Sequence, residues 1–405
     1  MARATGHRWV FKTRFRRRAF GWRSQPAIQR VKEAVSEIKT VRRKDPVLAA
    51  EGAVGFLERV SPALEQVDSS SGAIGTAVNR AIDQLVAIVA QAPVDESTRR
   101  RWLERLFEAL QADRIPYIER LGDLWGDLCA TREIASDQAD ALIETTRRVL
   151  SPQRSPGESF SGTTACLSAL YRAERYEDLV EIAAGEHVFW PYKRWAVEAL
   201  AAQGSNAKAR RLAESSRGPW ASDLDIDRLC EEILLSSGMV EEAYQRYGLA
   251  ANRAGTYLAT FRAIAKRYPH KEARTILMDL VETTPGEEGK WFAAAKSVGL
   301  FDEALELARR SPCDPRTLTR AARDFAATEP AFAVGAGLLA LHWLVEGYGY
   351  EITSGDVWES YDSTMEAAKQ QGEAERVEKR IRELLRADRP GGGFVLRILG
   401  RKLGI

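Results

Sequence analysis

The sequence predicts an all-α protein in which an N-terminal helical domain leads into a solenoid of about six helical hairpins, closed by a C-terminal helical cap. Three observations carry this expectation. Apolar residues recur three or four apart through most of the 405-residue chain, the period of one helix face. No stretch shows sustained apolar–polar alternation between turn residues, the pattern of strands. In the second half, a turn residue followed five positions later by a small residue recurs at intervals of about thirty.

Residues 1–24 form a basic arm. They hold eight Lys or Arg and no acid, interleaved with Trp9, Phe11, Phe15, Phe20 and Trp22. Residues 1–44 carry fourteen basic side chains against Glu33 and Glu37, a net +12, while the whole chain is only +2. The remainder is therefore net −10, and an arm of one sign is attached to a body of the other. Arg14, Arg16, Arg17 and Arg18 are the densest cations. Phosphate backbones reward such clusters through counterion release, and exposed aromatic faces stack unpaired bases, so nucleic acid or another polyanion is one expected partner. Two other readings stay open: the arm folds back on the acidic body with its aromatics filling the first hairpin's core, or it meets a membrane surface or a targeting receptor.

Residues 25–150 read as the N-terminal helical domain. Pro26 opens a pattern with Ile28, Val31, Val35 and Ile38 on one face, and Asp45-Pro46 restarts the chain, because proline is tolerated in a first turn and not later. Ile74 to Val89 is a continuous apolar stripe. Asp95-Glu96 precedes a second stripe of Trp102, Leu103, Leu106, Phe107 and Leu110, and Ser136-Asp137 looks like the entrance to a helix ending at Leu150. The Ser, Pro and Gly of residues 151–162 mark a domain boundary.

Residues 163–388 form the helical-repeat domain. The turns fall at Glu174, Gly204, Gly238, Tyr268, Gly299 and Thr328, spaced 30, 34, 30, 31 and 29 residues apart. Five positions on stand Leu179, Ala209, Ala243, Ala273, Ala304 and Ala333. A tight turn between two helices needs a residue at ease in left-handed backbone, and the next helix needs a small side chain where it crosses its partner. One hairpin leaves a face unburied, which the next hairpin covers.

On Gly204, Gly238 and Gly299 with Ala209, Ala243, Ala273 and Ala304, residues 165–345 resemble tetratricopeptide-like repeat proteins, although the family's tryptophan–leucine–glycine opening is absent. The resemblance implies a right-handed superhelix whose concave groove holds another protein. The whole chain is also similar to bacterial helical-repeat proteins of unassigned function. Asp356 to Leu385 reads as two further amphipathic helices that cap the array. Residues 389–405 are a Gly-linked basic amphipathic tail, in which Phe394 to Ile405 resembles a docking segment.

Signatures of chemistry do not survive inspection. His7, His187, His270 and His342 stand outside ligand spacing of any cysteine or of one another, and His342 on an apolar helix reads as a core residue. Cys129, Cys166, Cys230 and Cys313 form no CxxC pair and suit a reducing, cytoplasmic setting. Thr284 to Lys290 lacks a phosphate loop's glycine spacing, with Trp291 where Ser or Thr must hold magnesium. Asp223, Asp225 and Asp227 lack a calcium loop's glycine and its bidentate acid, and read instead as acids of a helix N-terminus. No cofactor and no metal are expected. No run of about 18 uninterrupted apolar residues occurs, so no transmembrane segment is expected, and Ala331 to Val345 reads as a buried core helix.

The segment Phe189 to Trp195 remains. Its Trp190, Tyr192, Arg194 and Trp195 are residue types enriched at interface hot spots, and equally types that fill cores. The function expected is a non-catalytic scaffold or adaptor that holds a protein partner in its repeat groove, with the arm making an anionic contact, nucleic acid first among the choices. The alternative is a nucleic-acid-binding protein whose helical body itself lies on DNA or RNA. An enzyme without a familiar signature is the third class.

Overall fold

In the computed structural model of the chain, residues 7–386 and 389–405 are described. Helices supply the regular structure, and no strand occurs among the described residues. The chain divides into two compact units, Met1–Ser237 and Gly238–Ile405. The division falls at the Gly238 turn, and residues 151–162 lie inside the first unit.

The first unit runs α1 (Val10–Arg14), α2 (Ser24–Arg42), α3 (Pro46–Leu64), α4 (Ala73–Ala90), α5 (Glu96–Gln111), α6 (Arg120–Asp123), α7 (Trp125–Cys129), α8 (Arg132–Leu150), α9 (Thr163–Arg172), α10 (Tyr176–Ala183), α11 (Trp190–Ala202), α12 (Asn206–Glu214) and α13 (Asp223–Ser236). Caps explain the starts. The Asp45 and Asp95 carboxylates accept from the backbone N–H groups of Leu48 and Thr98, so α3 and α5 begin where Asp-Pro and Asp-Glu suggest. Thr131 caps α8 by accepting from Ile134 N, which places the cap five residues before Ser136. Asp137, inside that helix, instead pairs with Arg100.

The core of this unit is built on α3, whose Phe56, Leu57, Val60 and Leu64 are all buried. α4 packs against α2, α3 and α7. By length and composition it is apolar enough to span a bilayer, with a mean hydropathy of 1.3, a property its interrupting Asn79, Arg80, Asp83 and Gln84 hide from a search for unbroken runs. The carbonyls at its end are taken up by Arg99, buried, which donates to Val89, Ala90 and Ala92 O. That satisfies acceptors a helix C-terminus otherwise leaves open.

Three of the six sequence-derived turns share one geometry. At Glu174, Gly204 and Gly299 the backbone is left-handed, with φ of +60°, +75° and +77°. The next residue's N–H reaches back to Leu170, Leu200 and Ala295 O respectively, the six-to-one bond that closes a Schellman turn. Gly238 is also left-handed, at +74°. The small residues five positions on are fully buried at Leu179, Ala209, Ala243, Ala304 and Ala333.

The Tyr268 turn departs from the pattern. Tyr268 has φ −121° and is itself fully buried, and Ala273 is the half-buried first residue of the next helix. The Tyr268 ring instead lies against Gly248, where a Cβ would come within 3.0 Å of it.

The second unit begins with α14 (Val240–Ala243), a π turn over Tyr244–Gly248 and α15 (Leu249–Ala251). It continues with α16 (Tyr257–Arg267), α17 (Ala273–Glu282), a 3-10 turn at Glu288–Trp291, α18 (Phe292–Ser297), α19 (Phe301–Arg310), α20 (Pro315–Phe325), α21 (Pro330–Val345), α22 (Ser354–Gln370), α23 (Ala374–Arg386) and α24 (Gly392–Leu403). α21 is apolar around its circumference and packs against α19, α20, α22, α23 and α24, the buried core helix its composition implies. α22 opens on a capping box between Thr353 and Asp356. The tail is ordered on the body: Gly391 N donates to Val345 O at 2.8 Å, and Val395, Leu399 and Leu403 of α24 are buried.

Candidate functional site

Of the arm, residues 7–24 are described, and three of its aromatic side chains are folded in. Trp9, Phe11 and Phe15 are buried, with Phe11 and Phe15 edge-on to Phe56 of α3 at centroid distances of 5.5 and 4.9 Å. Glycine at position 52 makes room for the Trp9 indole, because a Cβ there would lie 2.2 Å from it. The cations follow their anchors. Arg14 meets Glu33 at 2.5 Å, and Arg17 and Arg18 meet Glu65 at 3.2 and 2.9 Å. The hydrogen bond from Arg18 holds the Glu65 carboxyl below the usual range, and bonds from Arg30 and Gln29 do the same for Glu33. Arg16 is exposed and makes no ion pair among the described residues, and Trp22 stands out at 71% exposure. Of the five aromatics that base stacking would use, three are inside the protein.

The second predicted cluster builds a cleft. Phe189 ends the preceding turn, and Pro191 sits in the first turn of α11, where its missing N–H breaks no bond. Trp190, Arg194 and Glu198 are spaced four apart and so share one face of α11. That face looks into a cleft of about 660 Å³. The opposite wall is α13 with Asp225, Arg228, Leu229 and Glu232, and α6 adds Arg120 and Asp123. Trp190 and Trp195 are buried in its floor, and Trp195 Nε1 has no hydrogen-bond partner among the described residues. Arg194 donates to Glu198 at 3.1 Å and to Asp123, and its guanidinium lies 4.5 Å from the centre of the Trp195 ring. Burial pushes the Glu198 carboxyl up, against the pull of Arg194.

Trp190, Arg194 and Trp195 are thus brought together, whereas Tyr192 is half-buried and packs on the core of the first unit away from the cleft. Asp123, 71 residues before the arginine it binds, carries no local signal in the sequence. Asp225 does carry one, as an acid in the first turn of α13.

The groups that might do covalent or metal chemistry are dispersed. All four thiols are buried, and burial pushes Cys129 and Cys313 up to about 12 and Cys166 to about 11, far from a nucleophilic thiolate at neutral pH. No cluster of three or more His, Cys, Asp or Glu fit to hold a metal ion occurs among the described residues. Thr284 to Lys290 is a connecting turn whose Glu287 is held by Lys290 and by the Tyr257 hydroxyl. No protein-family model matches the chain, and no curated protein matches it.

Proposed function

We propose that the protein is a non-catalytic scaffold of tetratricopeptide-like hairpins that holds a protein partner at the cleft between α11 and α13. The observation that carries this reading is the cleft's composition: an indole floor from Trp190 and Trp195, walled by arginines and carboxylates from three helices. Large aromatic and arginine side chains in a desolvated pocket, rimmed by charge, are the anchors of peptide recognition. Charges of both signs suit an extended peptide that alternates basic and acidic side chains with apolar ones. The repeated Schellman turns at Glu174, Gly204 and Gly299, each followed by a buried Leu179, Ala209 or Ala304, support the stacked-hairpin arrangement.

A random-peptide display library tests the reading directly. Selected peptides are expected to protect the amides of α11 and α13 from exchange and to bind Trp190→Ala/Arg194→Ala at least about tenfold more weakly, or about 1.4 kcal/mol. Peptides that bind the variant equally well, or that protect other helices, would remove the cleft from the account.

A second contact is favoured by Trp22, Arg16 and Arg23, which stay exposed while Arg14, Arg17 and Arg18 are tied to carboxylates. They suit a single-stranded polyanion, with Trp22 as the stacking face. Deleting the arm would remove core aromatics, so the informative variant is Arg16→Glu/Arg23→Glu/Trp22→Ala. Oligonucleotide affinity should fall in this variant and its salt slope flatten. Affinity left intact would move any nucleic-acid contact to the helical body.

A further inference from the structure

The second unit has a cleft of about 390 Å³ that differs in kind from the α11–α13 site. Its floor is the one strip of α21 left half-open, Gly335, Leu338 and His342, spaced three and four apart, with Leu339 beside them. Leu384 of α23 closes the far side. α19 can come in close because position 335 has no side chain: a Cβ there would lie 2.7 Å from Leu305 Cδ1.

The charges are one-sided. Arg309 of α19 and Arg380 of α23 line the cleft from two different helices, and among the described residues no carboxylate lines it. Among the described residues Arg309 pairs only with Glu306, in an exposed pair at 3.4 Å of the kind worth little in water. Arg380 makes no ion pair among the described residues. Glu346, one turn beyond His342, is engaged by Arg389 at 3.3 Å. Burial lowers the His342 pKa, leaving a neutral imidazole that offers a hydrogen bond and no charge.

We propose that this cleft binds a small organic monoanion with a short apolar body, its carboxylate held between Arg309 and Arg380 and its chain laid over Leu338, Leu339 and Leu384. Two guanidinium groups lining one cleft suit a carboxylate in charge and in hydrogen-bonding capacity. The volume is at the small end for ligand pockets and fits a compact molecule better than a docked helix. The site lies in the second unit and the α11–α13 cleft in the first.

Calorimetry on the full chain with octanoate, octan-1-ol and octyltrimethylammonium tests this. Octanoate is expected to bind, with octanol at least about tenfold weaker and the ammonium silent. Arg309→Gln/Arg380→Gln, at exposed positions that leave the fold intact, should weaken octanoate about tenfold or more. Leu338→Gln should weaken octanoate while leaving its preference over the ammonium ion. Equal binding of the three amphiphiles, no heat from octanoate at millimolar concentration, or an unchanged affinity in the double arginine variant would each overturn the proposal.

Discussion

The two ends of the chain look alike as sequence and are used differently. Both are basic and rich in apolar residues, and neither residues 1–24 nor 393–405 contains an acid. At the N-terminus, Trp9, Phe11 and Phe15 are driven into the first unit and Arg14, Arg17 and Arg18 are tied to Glu33 and Glu65. At the C-terminus, α24 lays Val395, Leu399 and Leu403 on the second unit but keeps Phe394 and Leu396 at 37–38% exposure. Arg397, Arg401 and Lys402 make no ion pair among the described residues. The period of the apolar residues is not what separates the two ends. What separates them is a receiving surface: Gly52 and Phe56 of α3 give the arm's rings a seat, and paired acids lie beside it.

Amide exchange read separately in each unit can break or sharpen this comparison, since a chain of two units need not unfold in one step. The largest effect is expected from Phe15→Ala, which removes a buried ring touching Phe56 and Phe20 and should cost about 3–5 kcal/mol of protection in the first unit. Leu399→Ala should cost about 2 kcal/mol or more, confined to the second unit. If it instead proves as costly as the arm substitution, the tail is as deeply anchored as the arm. Gly52→Ala comes next: the new methyl collides with the Trp9 indole, for about 1–3 kcal/mol. That loss should shrink when Trp9→Ala is added, and additive losses would mean the indole does not sit there.

The smallest effect is that of Glu65→Gln, and it depends on pH. The folded pKa of Glu65 lies below its unfolded value, so its pair with Arg18 contributes stability above the ordinary glutamate range. That contribution fades as the pH falls through the depressed value. Wild type and Glu65→Gln should therefore converge in acid, while α24, without a carboxylate partner for its cations, should show no such limb. A difference that persists below the glutamate range would argue against the ion pair.

Much of the fold was legible because helices announce themselves locally. Asp45 and Asp95 are caps by type and by position, and Gly204 and Gly299 are turns because left-handed backbone favours glycine. What failed was what local chemistry leaves degenerate. Thr131 and Ser136 are both acceptable caps by residue type, and the chain uses Thr131, with Ile134 buried behind it. Tyr268 occupies a turn by tertiary contact with Gly248, which no spacing rule anticipates. In the candidate site, Trp190, Arg194 and Trp195 were visible as a cluster, but the decision between core and surface was not. Both Trp side chains serve as core and as cleft floor at once. Asp123, the partner of Arg194, arrives from α6, far off in sequence, and only folding reveals it.

The four sheltered thiols make the molecule its own stopwatch. Cys129, Cys166 and Cys230 report from the first unit and Cys313 from the second, and each must be uncovered before an alkylating reagent can reach it. Because burial also keeps Cys129, Cys166 and Cys313 protonated, background reaction of these three from the closed state is suppressed twice over, by access and by ionisation. Mass spectrometry of the alkylated peptides would then time the breathing of each neighbourhood in the unaltered chain, with no probe introduced and no residue replaced.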